Sequence, residues 1–407
     1  MRKPRWVFLV ALLGVFALVA AACNNDGGGG GGATTGGAER IDVTVYGVGA
    51  WTGPYNYLVI PSFQAAQLRF DELNAEDGYP ATITLAQGDT QGSGDNAPPV
   101  VEEVVNDPNT VAVLGPAFSG ESEAAGDTFD ENGIPFVTQS ATNPGLAEKG
   151  WTFWYRGCGN DTSQGTLAAQ YVVQELAPTA LFVSHDKSTY GQGLAEVVRD
   201  TAIDSDVNVI EFAGVEAGQD DYSNFISDVQ ASGADVLFYG GYDADFGKIV
   251  AQGRDAGLDI PMMSGDGSLS STFLDLAGDA AEGVTLIAPT NLSGDLVDRY
   301  NTELGSEASS VPIYVPEGYD VASLIGEGIR AAIEGGAEAP EDIRTGIKEY
   351  LDSLTSTNPF VGEAKPYSFD PSTHEINSAQ PDDLFFIYQV GPDGVTQLGS
   401  ASEVLGG

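Results

Sequence analysis

From Ile41 onward, short runs rich in apolar and β-branched residues alternate with longer segments of helical periodicity. This is the pattern of a parallel sheet with helices on its faces. IDVTVYGVGA (41–50) predicts a strand, Trp51 to Asn56 a loop, Leu58 to Ala75 a helix, and TITLAQGD (82–89) a second strand. Asn96-Ala97-Pro98-Pro99 predicts a helix reaching Asn106, because proline is tolerated in a first helical turn. Val111 to Asn143 then reads as a strand ending in Gly115-Pro116, a helix opening near Ser119, and a strand ending in Ser140-Ala141-Thr142. A further strand is expected near TFWYRGC (152–158).

A second series begins at Asp161. Helices over 163–176, 191–203, 221–233 and 244–257 alternate with strands over 180–186, 208–215, 235–242 and 260–267. After EGVTLIAPTN (282–291) the pattern turns helical in 296–304, 318–334 and 340–354, and ends in short strands around 361–370 and 383–390. No segment of linker composition interrupts this part. Two lobes joined by several crossovers are therefore expected, rather than independent beads on a string.

The first 40 residues follow different rules. Arg2, Lys3 and Arg5 precede an apolar run from Trp6 to Val19 that ends in Ala20-Ala21-Ala22-Cys23, the layout of an export signal. A cysteine after small residues resembles a lipoprotein lipobox, although Ala20 stands where that pattern usually has Leu. A plain secretory signal is the alternative. Asn24 to Gly37, with glycine unbroken from Gly27 to Gly32, cannot build a core and reads as a flexible tether. Together these features predict an extracytoplasmic protein anchored to the cell membrane through a lipid on Cys23.

Composition narrows the chemistry. At 407 residues the chain is long enough for two cores. Sixteen basic against 59 acidic residues give a net charge of −43, which opposes nucleic-acid phosphates and anionic lipid heads. The acidic excess also suits solubility in a saline habitat, where counterions screen self-repulsion. With two cysteines and two histidines, none of the usual zinc-ligand spacings is present. No metal and no cofactor are expected. Gly47 to Gly53 has the spacing GxGxxxG rather than GxGxxG, with the helix starting late, so it is not read as a dinucleotide loop.

Ligands of open α/β sheets bind beyond the carboxyl ends of the strands, where helix N-termini offer free N–H groups. Ser119 and Thr142 fall on two such neighbouring loops. Tyr190 and Tyr242 are aromatic residues on the loops of the second series, able to wall a small ligand, and Asp266 is a carboxylate at a strand end. Each has a plainer alternative: a helix N-cap for Ser119, a turn at Thr142-Asn143-Pro144, and a solvated turn for Asp266.

Four segments, QSATNPGLAEKG (139–150), NDTSQGTLAAQY (160–171), HDKSTYGQGLAE (185–196) and LFYGGYDADFGKIVAQGRDAGL (237–258), occur in an order that resembles the leucine/isoleucine/valine-binding proteins. These are type I periplasmic binding proteins that feed branched-chain amino-acid ABC transporters. The resemblance implies an α/β fold of two Rossmann-like lobes joined by three crossovers, closing like a flytrap. Its expected boundaries are 41–160 with 290–378 for lobe 1, and 161–289 with 379–407 for lobe 2. It implies that Ser119 and Thr142 hold a ligand carboxylate, that the Ser140 carbonyl, Thr142 hydroxyl and Asp266 hold the ammonium, and that Ala141 belongs to the same ligand loop. Tyr190 and Tyr242 would close over the amino acid. Tyr314 and one of Trp51, Tyr55 and Tyr57, with Tyr55 taken for that position, would wall the side-chain pocket. The partners implied are a small, aliphatic amino acid and the permease subunits of an ABC transporter; the protein is expected to act as a monomer and not as an enzyme.

Asp266 departs from the glutamate common in the family, and Phe118 stands where some relatives have a cysteine, leaving Cys158 as a free, partly buried thiol. Other readings are a sensor or urea-binding module of the same fold and, more remotely, a secreted hydrolase using Asp220-Asp221 or Asp382-Asp383.

Overall fold

The computed structural model describes residues 40–305, 309, 311–377 and 381–406. The export signal, Cys23, the glycine tether and the expected lobe boundary at 378/379 lie outside the described residues.

The first lobe is built on β1 (Ile41–Gly49), α1 (Asn56–Ala75), β2 (Ala81–Asp89), α2 (Ala97–Asn106), β3 (Thr110–Leu114), α3 (Ser119–Glu131), β4 (Phe136–Thr138) and β5 (Trp154–Arg156). Their strands form one parallel sheet in the order β2-β1-β3-β4-β5. β3, TVAVL, is buried at every residue, as expected of a strand covered on both faces.

The second lobe contains α4 (Asp161–Tyr171), β6 (Leu181–His185), α5 (Thr189–Asp204), β7 (Val209–Gly214), α6 (Ser223–Ser232), β8 (Val236–Gly240), α7 (Asp243–Asp255), β9 (Met262–Ser264), α8 (Ser271–Ala277) and β10 (Thr285–Ala288). The chain then returns to lobe 1 through α9 (Asp295–Leu304), α10 (Val315–Glu334), α11 (Pro340–Asp352) and the hairpin β11 (Phe360–Val361) with β12 (Pro366–Tyr367). It ends in lobe 2 with β13 (Phe386–Gly391), β14 (Gly394–Ser400) and α12 (Ala401–Leu405). The second sheet runs β14-β13-β10-β9-β8-β6-β7, parallel from β10 to β7 and antiparallel at β13 and β14. The chain thus crosses between sheets three times: after β5, after β10 and before β13.

Helix α10 ties the return segment to lobe 1. Val315 through Gly326 are all buried, and Gly318 lies so close to α1 that a Cβ there would meet the Ser62 carbonyl oxygen at 2.2 Å. Its two buried carboxylates are matched. Glu317 pairs with Lys365 Nζ at 2.9 Å and accepts from Thr290 Oγ1 at 2.7 Å, while Asp320 accepts the Glu363 and Ala364 N–H groups, each at 2.7 Å. Matching of this kind is what a buried charge requires.

Several sequence expectations are corrected. The strand expected to end at Ser140-Ala141-Thr142 stops at Thr138, because Thr138 Oγ1 accepts from Ala141 N at 2.9 Å and bends the chain there. The helix expected over 163–176 turns into a π-helical turn at Val172–Leu176. Helices α8 and α12 and strand β14 have no counterpart in the expectations. β14 is a half-exposed edge strand, GVTQLGS, whose apolar pattern is weak, and α12 is only five residues long.

Candidate ligand-binding site

Each lobe has one place where neighbouring strands lead away in opposite directions, the point at which open α/β sheets leave a crevice. In lobe 1 it lies between β1 and β3, and in lobe 2 between β6 and β8. The segments after these four strands, with those after β4 and β9 and the entrance of α10, meet around a small cavity lined by Leu58, Val59, Ala117, Phe118, Ser119, Ser140, Tyr190, Tyr242, Asp266, Gly267 and Tyr314. The topology therefore selects the site before any side chain is considered.

On the lobe 1 side, Ser119 is the first residue of α3 and not its N-cap, a position held by Phe118. Ser119 Oγ accepts from Asn143 N at 3.2 Å, and the capping work falls to Glu121, whose carboxyl accepts from Phe118 N at 3.1 Å and from Thr90 Oγ1. Burial pushes the Glu121 carboxyl up to about 7. The loop after β4 is held from behind by Arg156. This fully buried guanidinium donates to the carbonyls of Ala141 and Asn143, the latter at 2.7 Å, and to both carboxylate oxygens of Glu375 at 2.9 and 3.0 Å. Ala141 is consumed by this scaffold: its N–H goes to Thr138 and its carbonyl to Arg156. Ser140 Oγ likewise donates to Ala117 O at 2.8 Å, tying the two cavity-lining loops together.

On the lobe 2 side, Asp266 is buried and receives three donors. Gln164 Nε2 at 2.7 Å and Tyr190 OH at 2.9 Å share Oδ1, and Tyr314 OH reaches Oδ2 at 2.7 Å. The solvated-turn alternative for Asp266 is overturned, since only 4% of it is exposed. Burial raises its pKa, and the three donors act against that rise. A carboxylate offers about four lone-pair positions, so one remains for a ligand. Tyr190 belongs to the first turn of α5 rather than to a loop, and its oxygen also accepts from Gly267 N at 3.0 Å.

Behind Asp266 is a group of unused acceptors. Both oxygens of Asp161, Gln164 Oε1 and Thr142 Oγ1 have no hydrogen-bond partner among the described residues. Asp161 is fully buried at the start of α4, and burial, followed by the nearby Asp266 charge, holds its carboxyl well above the usual range. Thr142 sits beside Asp161 without hydrogen-bonding geometry, and its carbonyl accepts from Asp161 N at 2.9 Å.

The structure thus brings Ser119, Ser140, Tyr190, Tyr242, Asp266 and Tyr314 to one cavity, and leaves Ala141 and Thr142 just behind its wall. Of the three aromatic alternatives, Tyr55 stands nearest to that wall, its ring 6.3 Å from that of Phe118 and 5.2 Å from that of Tyr242. Trp51 stacks on Phe63 and donates to Gly47 O at 2.6 Å, whereas Tyr57 is 52% exposed. Cys158 is fully rather than partly buried, and burial raises its thiol far above the ordinary value. The sequence reading missed Leu58, Val59, Ala117 and Gly267, which carry no polar signal. It also missed Asp161 and Gln164, although they lie within the quoted segment NDTSQG. Among the described residues, no group of His, Cys, Asp and Glu is arranged to hold a metal ion, and no helix is long and apolar enough to cross a membrane.

A family model described as periplasmic binding protein matches residues 43–394. The chain belongs to the periplasmic binding protein family. A Leu/Ile/Val-binding protein of Escherichia coli strain K12 is 32% identical over 255 residues, covering 62% of this chain and 69% of that protein. A leucine-, isoleucine-, valine-, threonine- and alanine-binding protein of Pseudomonas aeruginosa is 30% identical over 282 residues, covering 68% of this chain and 74% of the other. In fold, the chain is similar to a branched-chain amino acid transporter substrate binding protein from Streptococcus pneumoniae solved with isoleucine. The TM-score is 0.73 at 22% identity, over 88% of this chain and 99% of that one. This periplasmic binding protein is a solute-binding protein and not an enzyme.

Proposed function

We propose that this protein captures a small aliphatic amino acid outside the cytoplasmic membrane, held there by a lipid on Cys23, and delivers it to the permease of an ABC transporter. One observation carries the reading: a single cavity has hydroxyls and a helix N-terminus on one lobe, a buried carboxylate on the other, and apolar walls between them. A zwitterion leaving water needs both charges matched, since an unpaired buried charge costs several kcal/mol. The N–H groups opening α3, with Ser119, suit a carboxylate. Asp266, backed by the unused acceptors of Asp161 and Thr142, suits an ammonium with three N–H donors. Leu58, Val59, Phe118 and Tyr242 suit an aliphatic side chain. The similar proteins of Escherichia coli and Pseudomonas aeruginosa are named for binding such amino acids, which supports the same ligand class here.

The ligand bridges both lobes and therefore favours the closed state, because only differential contact shifts such an equilibrium. A ligand of roughly nine heavy atoms, at a ceiling near ~1.5 kcal/mol per atom, reaches micromolar to nanomolar affinity. Calorimetric titration with the common amino acids, urea and short amides tests the proposal. Leucine, isoleucine or valine is expected to bind; tight binding of urea without any amino acid would place the protein in a different ligand class.

A further inference from the structure

Ser119 is fixed by a residue that also reaches the opposite lobe. Asn143 uses every polar atom it has. Its N–H donates to Ser119 Oγ at 3.2 Å, its carbonyl accepts from Arg156 Nη2 at 2.7 Å, and its Oδ1 accepts from Gly145 N at 2.8 Å. The remaining group, Nδ2, crosses the cleft to the carbonyl of Thr189 at 2.6 Å. Thr189 opens α5 and precedes Tyr190, which itself holds Asp266. The crossing depends on a glycine: a Cβ at Gly193, one turn along α5, would lie 2.5 Å from Asn143 Nδ2, and nothing but the Asn143 carboxamide comes within 4 Å of it. A lesser bond flanks this contact, from Thr189 Oγ1 to Glu123 Oε2 at 3.1 Å, and is solvent-exposed. Exposed contacts of that sort contribute little.

We infer that Asn143 is a positioning residue that clasps the lobes shut, coupling the Ser119 side of the cavity to the Thr189-Tyr190 end of α5, with Gly193 as its seat. This rests on the ligand reading above and extends it: the clasp touches no ligand, forms only when the lobes meet, and sets how long the ligand stays. A contact made after encounter slows release and leaves association nearly unchanged.

Two substitutions from opposite lobes separate this role from a local structural one. Asn143→Asp keeps the Oδ1 acceptor for Gly145 N and so keeps the turn, but replaces the Nδ2 donor with an oxygen facing the Thr189 carbonyl. Gly193→Ala favours the helix intrinsically while pushing the Asn143 carboxamide away. Stopped-flow fluorescence with leucine as the probe should show dissociation faster by about tenfold in Asn143→Asp, with association within about twofold of the parent, given the modest net worth of one hydrogen bond. Gly193→Ala should release leucine faster without melting at a lower temperature. The double variant should be no worse than the worse single one, because both break one contact. Unchanged dissociation in Asn143→Asp, or effects that multiply in the double variant, would overturn the clasp. Should the parent bind neither leucine nor any other amino acid, the ligand reading fails on its own. Small-angle scattering in buffer then decides the clasp: a compact parent with expanded variants supports it, and equal radii overturn it.

Discussion

Tyr314, at the entrance of α10 and with its side chain packed into the lobe 2 core, donates its hydroxyl to Asp266 Oδ2 at 2.7 Å in the turn after β9. With Gln164 and Tyr190 on the other oxygen, this bond holds an otherwise isolated carboxylate inside the cavity. Under the proposed function this places Asp266 for an ammonium before any ligand arrives. Asp266→Ala is expected to weaken amino-acid binding by a factor of ten or more while leaving the fold intact. Calorimetry that returns an unchanged affinity would remove Asp266 from the site.

The buried carboxylates give binding and stability opposite pH trends. Burial raises Glu121 and Asp243 to about 7 and Asp186 to about 6, above the ordinary 4.5 for Glu and 3.8 for Asp. A raised folded-state value means that the folded protein holds more protons, so this stability is fully present below the ordinary values and is lost as pH rises through 6 to 7. The ligand-free protein should therefore melt at a higher temperature at pH 5 than at pH 8, and Glu121→Gln should flatten part of that slope. Binding should run the other way. Asp266 is also raised by burial and must be ionised to hold an ammonium, so affinity should fall as pH is lowered. Titrations in buffers of different ionisation enthalpy should reveal proton release on binding as pH is lowered into the range where Asp266 is partly protonated.

The Glu317–Lys365 pair makes a separate claim about stability. Both side chains are at least 95% buried, and Glu317 keeps only Thr290 Oγ1 if the lysine is lost. Lys365→Met should cost about 3–5 kcal/mol in chemical denaturation, because it strands a buried charge. Replacing both members with apolar residues of similar size should recover much of that loss.

Much of this architecture was legible in the sequence. The alternation from Ile41 onward placed the parallel strands of both sheets and nearly all of the longer helices, because fully covered strands and amphipathic helices leave strong apolar signals. β14 and α12 left none, the first being half-exposed with a weak apolar pattern and the second only five residues long. Polar residues of the site were visible as hydroxyls, tyrosines and a carboxylate at strand ends, with the resemblance supplying their grouping. Their tasks were less visible. Ala141 turned inward to Arg156 through the bend imposed by Thr138, a contact that sequence spacing does not reveal. Asp161 and Asn143 are polar residues at a helix start and a turn, where a capping role alone would account for them.

The proposed membrane location rests on Cys23. Cys23→Ala is expected to move the protein from the membrane fraction to the soluble extracytoplasmic fraction without changing its affinity for ligand. Retention of that variant on membranes would count against the lipid.

The central claim is that both charges of a zwitterion are held at once, one by each lobe. Calorimetry comparing leucine with its deaminated analogue 4-methylpentanoate and its decarboxylated analogue 3-methylbutylamine tests it most directly. Leucine should bind in the micromolar range or tighter, with each analogue weaker by at least about a hundredfold, given roughly 1.5 to 3 kcal/mol for each hydrogen bond to a charged group. Binding of either analogue as tight as that of leucine would contradict the account.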